Sequence, residues 1–171
     1  MTRRLAPTSL GRQLMRGRYP ATYTLIVPSP LRVVLATYFP VSRHLGVRVR
    51  EATSRRVVLE APLAPNRNRV GTAFAGSLNA LATLAGWSWL TLYLRETTTD
   101  LEVVLQDSSI SYHRPATSAF RAVCLAPGAG DLDRFSATLS RRGRARLRLT
   151  VTLTTADGPM ATFTGRYVAT R

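Results

Sequence analysis

From Ala73 to Leu94 apolar residues fall on every side of a helical projection, with Phe74, Leu78, Leu81 and Ala85 on one stripe and Ala80, Leu84 and Trp87 on others. Such a pattern predicts a buried helix with no face left for water. A glycine-punctuated loop, Asn68-Arg-Val-Gly71-Thr-Ala-Phe-Ala-Gly76, runs straight into it. Thr72 can cap the first turn, and Gly71 and Gly76 let the backbone approach another group closely. The free N–H groups of a helix start can then stabilise an anion or a developing oxyanion. The segment is long enough to cross a bilayer, but Asn79, Thr83, its small residues and Arg95-Glu96 at its end favour a helix buried in a soluble domain.

The remaining pattern is mostly of strand period. Leu45-Gly-Val-Arg-Val-Arg-Glu alternates apolar and charged residues, and Arg56 to Leu63 follows a polar turn at Thr53-Ser54-Arg55, which predicts a hairpin. After the helix, Leu101–Tyr112, Ala119–Leu125, Arg144–Thr154 and Met160–Val168 are rich in β-branched and aromatic residues. Turn signals at Arg114-Pro115, Pro127-Gly-Ala-Gly130 and Asp157-Gly158-Pro159 separate them. A short helix can fill Leu132–Leu139, and another can run from Ser29-Pro30 through Leu31, Val34, Leu35 and Tyr38 until Pro40 stops it. Two strands, one long apolar helix and four further strands can bury that helix only if a mostly antiparallel six-stranded sheet curls around it, an α+β arrangement. Residues 1–30, with four prolines, are read as a basic arm, and residues 31–171 as one domain without internal repeat.

Composition narrows the chemistry. One cysteine, Cys124, excludes an intrachain disulfide, and with only His44 and His113 beside it no soft-metal cluster is expected, so neither a metal nor another cofactor is called for. The net charge is +15 and the sequence contains no lysine, so every basic residue is arginine. A bias this uniform reflects base composition as well as selection. The positive field still attracts phosphorylated ligands or acidic carrier proteins, while the alternate arginines of Arg144-Ala-Arg146-Leu-Arg148 read first as the solvated face of a strand. Nucleic acid has charge alone in its favour, since aromatics are few and no stacking motif is visible. The stretch Tyr23–Val27 is too short and proline-bounded for a secretory signal. The default expectation is cytoplasmic.

The loop Asn68-Arg-Val-Gly71-Thr-Ala-Phe74-Ala75-Gly76, followed by Ile110-Ser-Tyr112-His-Arg114-Pro115, resembles the Asn-x-x-Gly-x-x-His-Gly-Gly loop and aromatic-x-Arg-Pro turn of hotdog-fold acyl thioesterases. Ala61–Asn66, Gly71–Leu78, Ala80–Trp87, Asp107-Ser108 and Phe163–Val168 are similar, in order and spacing, to the thioesterase family of the YiiD C-terminal domain type. The resemblance runs from about Leu31 to Val168 and implies a hotdog fold. It further implies a homodimer, or a tetramer of such pairs, joined along the strand Leu101–Tyr112, with acyl-CoA or acyl-carrier-protein thioesters bound between subunits. The thioester carbonyl would meet the backbone N–H groups near Ala75 and Gly76, with Gly71, Thr72, Phe74, Ser77 and Ser108 lining the substrate.

The chain departs from the family pattern where the chemistry matters. Many hotdog thioesterases carry an acid on the central helix seven residues after the last loop glycine, and here that position is Thr83. Thr83 cannot act as a general base, but with Asn79 one turn earlier on the same face it can hold a water. The alternative is a polar pair satisfied within the helix or by a partner subunit. Asp107 is the carboxylate left among the motifs, expected on a strand facing the helix, and is either a base acting through water or a structural acceptor of backbone N–H groups. Asn66 and Asn68 divide in the same way between ordering the loop and binding the thioester. Phe74 stands where the pattern often has His and is expected to pack. A serine-hydrolase reading fails because Ser77 lies in no Gly-x-Ser-x-Gly elbow. His113 reads as a surface or interface residue and Cys124 as a buried strand residue. The competing function is a catalytically silent hotdog protein that binds acyl thioesters or serves as a structural partner.

Overall fold

In the computed structural model, residues 30–97 and 101–171 are described; the predicted arm lies outside them apart from Pro30. Helix α1 (Pro30–Tyr38) has proline in its first turn and buries Leu31, Val34 and Leu35. Pro40 ends that helix and opens a single turn, α2 (Val41–His44). The hairpin β1 (Arg48–Ala52) and β2 (Arg56–Ala61) follows, then a 3-10 turn over Ala64–Asn66 and the long helix α3 (Ala75–Thr97). The second half consists of β3 (Glu102–Tyr112), β4 (Phe120–Leu125), α4 (Ala129–Arg142), β5 (Arg144–Thr155) and β6 (Gly158–Thr170).

The strands form one sheet in the order β1-β2-β4-β5-β6-β3, with every neighbour antiparallel. This is a hotdog fold, a sheet curled on a central helix. Strand β5 shows why the sheet has a wet side and a dry side: Ala145, Leu147, Leu149, Val151 and Leu153 are buried, and Arg144, Arg146 and Arg148 between them are exposed. The dry side meets Leu81, Ala82, Ala85, Trp89 and Leu90 of α3, each fully buried.

One contact fixes the helix against the sheet. The Tyr167 hydroxyl of β6 donates to the Thr83 carbonyl at 2.9 Å, and a Cβ on Gly86 would lie 2.4 Å from that hydroxyl oxygen. Gly86 is therefore glycine because a tyrosine occupies the space beside it. Burial pushes the Tyr167 phenol well above its ordinary pKa, so it remains a neutral donor.

The wrap is less complete than the apolar pattern suggests. Asn79, Ala80, Thr83 and Trp87 are half-buried rather than sealed. Trp87 is held by Phe39 edge-on, with ring centroids 4.6 Å apart, and by its indole N–H to the Val103 carbonyl at 2.9 Å. Among the described residues no helix is long and apolar enough to span a membrane.

Candidate active site

The loop before α3 is held by its own side chains. Asn66 is buried and its side-chain amide donates to the carbonyls of Leu45 (2.9 Å) and Pro62 (2.7 Å), tying the loop to the end of α2 and the end of β2, while its backbone carbonyl accepts the Phe74 N–H at 2.7 Å. Asn68 accepts the N–H groups of Val70 (3.0 Å) and Thr72 (3.1 Å) through Oδ1 and donates to the Thr72 hydroxyl at 2.9 Å. Both asparagines therefore order the loop. Gly71 has φ of 89°, a conformation that glycine supplies without strain.

The helix starts later than the expected Ala73 and is not capped by Thr72, whose hydroxyl is engaged by Asn68. The Phe74 carbonyl accepts the N–H groups of Ser77 (3.0 Å) and Leu78 (3.2 Å), which puts Phe74 in the capping position without a capping side chain. Ala75 and Gly76 are exposed, and among the described residues their backbone N–H groups meet no acceptor. The Phe74 ring, itself 56% exposed, folds back over Gly76, where an added Cβ would lie 2.2 Å from the ring. Ser77, the next residue, is buried.

Strand β3 forms the other wall. Tyr112, absent from the residues singled out from sequence, donates its hydroxyl to the Ala75 carbonyl at 3.0 Å and so joins the end of β3 to the first turn of α3. Its only sequence signal is its place in the aromatic-x-Arg-Pro turn. Burial raises the Tyr112 phenol above its ordinary pKa, which keeps it protonated as a donor. Register places Ser108 opposite Gly165, and Ile110 opposite Phe163 of the core, so both lie on the helix-facing side of β3. One turn into α3 the Thr83 hydroxyl meets the Asn79 Oδ1 at 3.4 Å, a weak contact that leaves hydrogen-bonding capacity on both groups.

Asp107 does not join them. A bulge between Leu105 and Asp107 inserts Gln106, so Asp107 pairs with Arg166 while Leu105 pairs with the core residue Tyr167. The carboxylate therefore lies on the outer side of the sheet, where it accepts the Arg166 Nε–H at 2.9 Å as well as a second guanidinium N–H, and its side chain is 51% exposed. The expectation of a strand carboxylate facing the helix is corrected by that single inserted residue. The carboxylate that is largely buried is Glu60 on β2, held by Arg50 and Arg121. Hydrogen bonding from Arg50 pulls its pKa below the usual range against the opposing effect of burial. Of the other singular residues, Cys124 is buried with its thiol pushed up to about 12 by desolvation, and exposed His113 lies 3.4 Å from the Thr162 hydroxyl. No three His, Cys, Asp or Glu side chains gather as a metal site among the described residues.

The site thus combines a helix start whose two amides meet no acceptor among the described residues, a polar pair one turn further on and an aromatic strand end. The profile described as "Putative thioesterase (yiiD_Cterm)" matches residues 29–171. The chain belongs to this thioesterase family. A thioesterase-family structure from Shewanella oneidensis, described there as putative, is 31% identical with a TM-score of 0.72, over 84% of this chain and 97% of that one. A protein of unknown function from Chlorobaculum tepidum TLS is 27% identical with a TM-score of 0.78, over 84% of this chain and 96% of its own. A Pseudomonas aeruginosa protein described as a probable thioesterase shares the fold at 23% identity and a TM-score of 0.71, over 85% and 96%.

Proposed function

We propose that this protein hydrolyses acyl thioesters, carried by CoA or by an acyl carrier protein, at a site formed between two copies of the chain. The observation that carries this reading is the pair of unengaged amides at Ala75 and Gly76 beside Asn79 and Thr83. A thioester oxygen placed between the two N–H groups would gain charge as a water attacks the carbonyl carbon. Donors fixed in advance at that point are worth about 2.7–4 kcal/mol each in comparable sites. The Asn79 amide and Thr83 hydroxyl hold the attacking water. The tetrahedral intermediate then breaks its C–S bond, and the departing thiolate takes up the proton that the water gives up. Thiolate is a good enough leaving group that stabilising the oxyanion, rather than a strong base, is the main requirement.

Family membership and the exposed edge of β3 support the second copy. β3 runs for 11 residues and, among the described residues, pairs with β6 on one side only. An edge of that length is a ready template for another strand. Antiparallel pairing with a second β3 would bring the partner's surface against Ser108, Ile110 and Tyr112 and close the site. The positive field of the chain would draw in the phosphates of CoA or an acidic carrier.

A second reading has its own observation. The central helix carries no acid at Thr83, and Asp107 is tied to Arg166 on the far side of the sheet, which favours a catalytically silent protein that binds acyl thioesters. Hydrolysis of a panel of acyl-CoA substrates by the purified protein separates the two, with light scattering to establish the assembly. Turnover above the spontaneous rate is expected for at least one chain length, together with a dimer or larger. Saturable binding without turnover selects the silent reading; a stable monomer removes the interface site.

A further inference from the structure

Two hydrogen bonds delimit the space between α3 and the helix-facing side of β3. At one end the Tyr112 hydroxyl donates to the Ala75 carbonyl at 3.0 Å, and at the other the Trp87 indole donates to the Val103 carbonyl at 2.9 Å. Helix and strand therefore run in opposite directions. A third contact sets the level between them: Tyr167, which stands opposite Leu105 on the neighbouring β6, donates to the Thr83 carbonyl at 2.9 Å. Between the two ends the half-buried residues of α3 are Asn79, Ala80 and Thr83, whose spacing of three and four puts them on one stripe with Trp87. Leu105 and Ile110 are the half-buried residues of β3 that look towards the helix.

This space has a polar end and an apolar one. The unengaged amides of Ala75 and Gly76, Asn79 and Ser108 lie towards Tyr112, whereas Leu105 and Trp87 lie towards Val103. The apolar end is closed. An indole that starts on α3 and reaches a carbonyl of β3 crosses from one wall to the other, and Phe39 braces it edge-on with ring centroids 4.6 Å apart. Packing accounts for Trp89, which is fully buried; Trp87 stays half-buried at the end of a stripe that begins at the helix start.

We propose that Trp87 is the floor of the acyl-chain site and restricts this protein to short and medium acyl chains, an inference that rests on the thioester reading of the same site and names its substrate more closely. With the carbonyl oxygen at the helix start, the polar arm of the carrier leaves past the loop that exposes Arg67 and Arg69, and the apolar chain follows the stripe towards Trp87. From Asn79 to Trp87 the helix rises about 12 Å at 1.5 Å per residue. Helical side chains lean back over the preceding turn of about 5.4 Å, which leaves about 7 Å. A zigzag chain with C–C bonds of about 1.52 Å advances about 1.25 Å per carbon. About six carbons then fit beyond the carbonyl, an acyl group of up to about eight.

The test reads chain length in two ways on the full-length protein: kcat/KM for butyryl-, octanoyl-, dodecanoyl- and hexadecanoyl-CoA, and calorimetric affinity for their non-hydrolysable thioether analogues, each below its micelle concentration. The two shorter chains should lead, with hexadecanoyl lower by roughly tenfold or more in both measurements. Trp87→Ala should bring hexadecanoyl level with octanoyl, and Trp87→Phe, which keeps a ring against Phe39 and remains informative if the alanine variant does not fold, should move part of the way. Leu125→Ala, at the exposed end of β4, should leave the order unchanged. Analogues ranked by length, with the ranking relaxed at Trp87 but no turnover of any substrate, would contradict hydrolysis and still support the chain-length floor. Preference for hexadecanoyl chains in the unaltered protein, an order of lengths indifferent to Trp87, or no saturable binding of any analogue would overturn the proposal.

Discussion

In the second half of α3, Ser88, Trp89 and Leu90 are fully buried, the Trp89 indole donates to the Ser54 carbonyl at 3.0 Å, and its ring stacks on Tyr93 with centroids 5.5 Å apart. At the first turn of the same helix Ala75 and Gly76 are exposed, their amides meet no acceptor among the described residues, and Phe74 and Val70 present apolar surface to solvent. One end is close-packed and carries the stability of the domain. The other is held rigid by Asn66, Asn68 and Tyr112 yet leaves donors and apolar area open to solvent.

This contrast is broken most forcefully at the packed end. Trp89→Ala should cost about 3–5 kcal/mol and lower the melting temperature by on the order of 10 °C, measured by thermal unfolding. A small effect would mean that the helix is not locked there. Gly86→Ala places a methyl group against the Tyr167 hydroxyl and should cost about 1–3 kcal/mol in denaturant unfolding, with Tyr167→Phe recovering part of the loss in the double variant.

Across the half-buried stripe, the contrast sharpens into a split between stability and activity. Thr83→Val should leave the melting temperature within a few degrees and reduce hydrolysis roughly tenfold, the loss of one hydrogen bond to the attacking water. Asp107→Asn should leave hydrolysis unchanged, because its carboxylate serves Arg166 on the other side of the sheet; a large loss of kcat without dissociation would return Asp107 to the reaction. Smallest is Ser88→Ala. The buried Ser88 hydroxyl has no hydrogen-bond partner among the described residues, so its removal should be neutral or stabilising by up to about 1 kcal/mol, read from the same unfolding curves.

What the sequence disclosed follows from how far each signal reaches. The glycine-punctuated loop, the apolar run and the alternation of β5 are local, and they led to the central helix and the sheet around it, but not to the exposure of the helix's first turn. Pro40 was legible as the end of α1 because proline acts on its own neighbours. The side of β3 that Asp107 occupies was not legible, since alternation counted from Leu105 fails once β6 forces a bulge at Gln106. Thr72 has the composition of a cap, but Asn68 competes for its hydroxyl and the helix starts after it. Tyr112 gave too weak a signal because its partner, the Ala75 carbonyl, lies on a different element. The closed end of the space between α3 and β3 depends on Trp87 reaching the Val103 carbonyl, a tertiary fact carried by no motif.

The central claim is that the amides at the start of α3 stabilise the oxyanion, and Ala75→Pro tests it most directly. Proline is well tolerated at the first helical position and deletes one donor while leaving the helix in place. Comparing acyl-CoA hydrolysis by this variant and by the unaltered protein, with thermal unfolding of both as a control, should show kcat lower by roughly 10²–10³-fold at an unchanged melting temperature. Equal kcat in the two proteins would contradict the account.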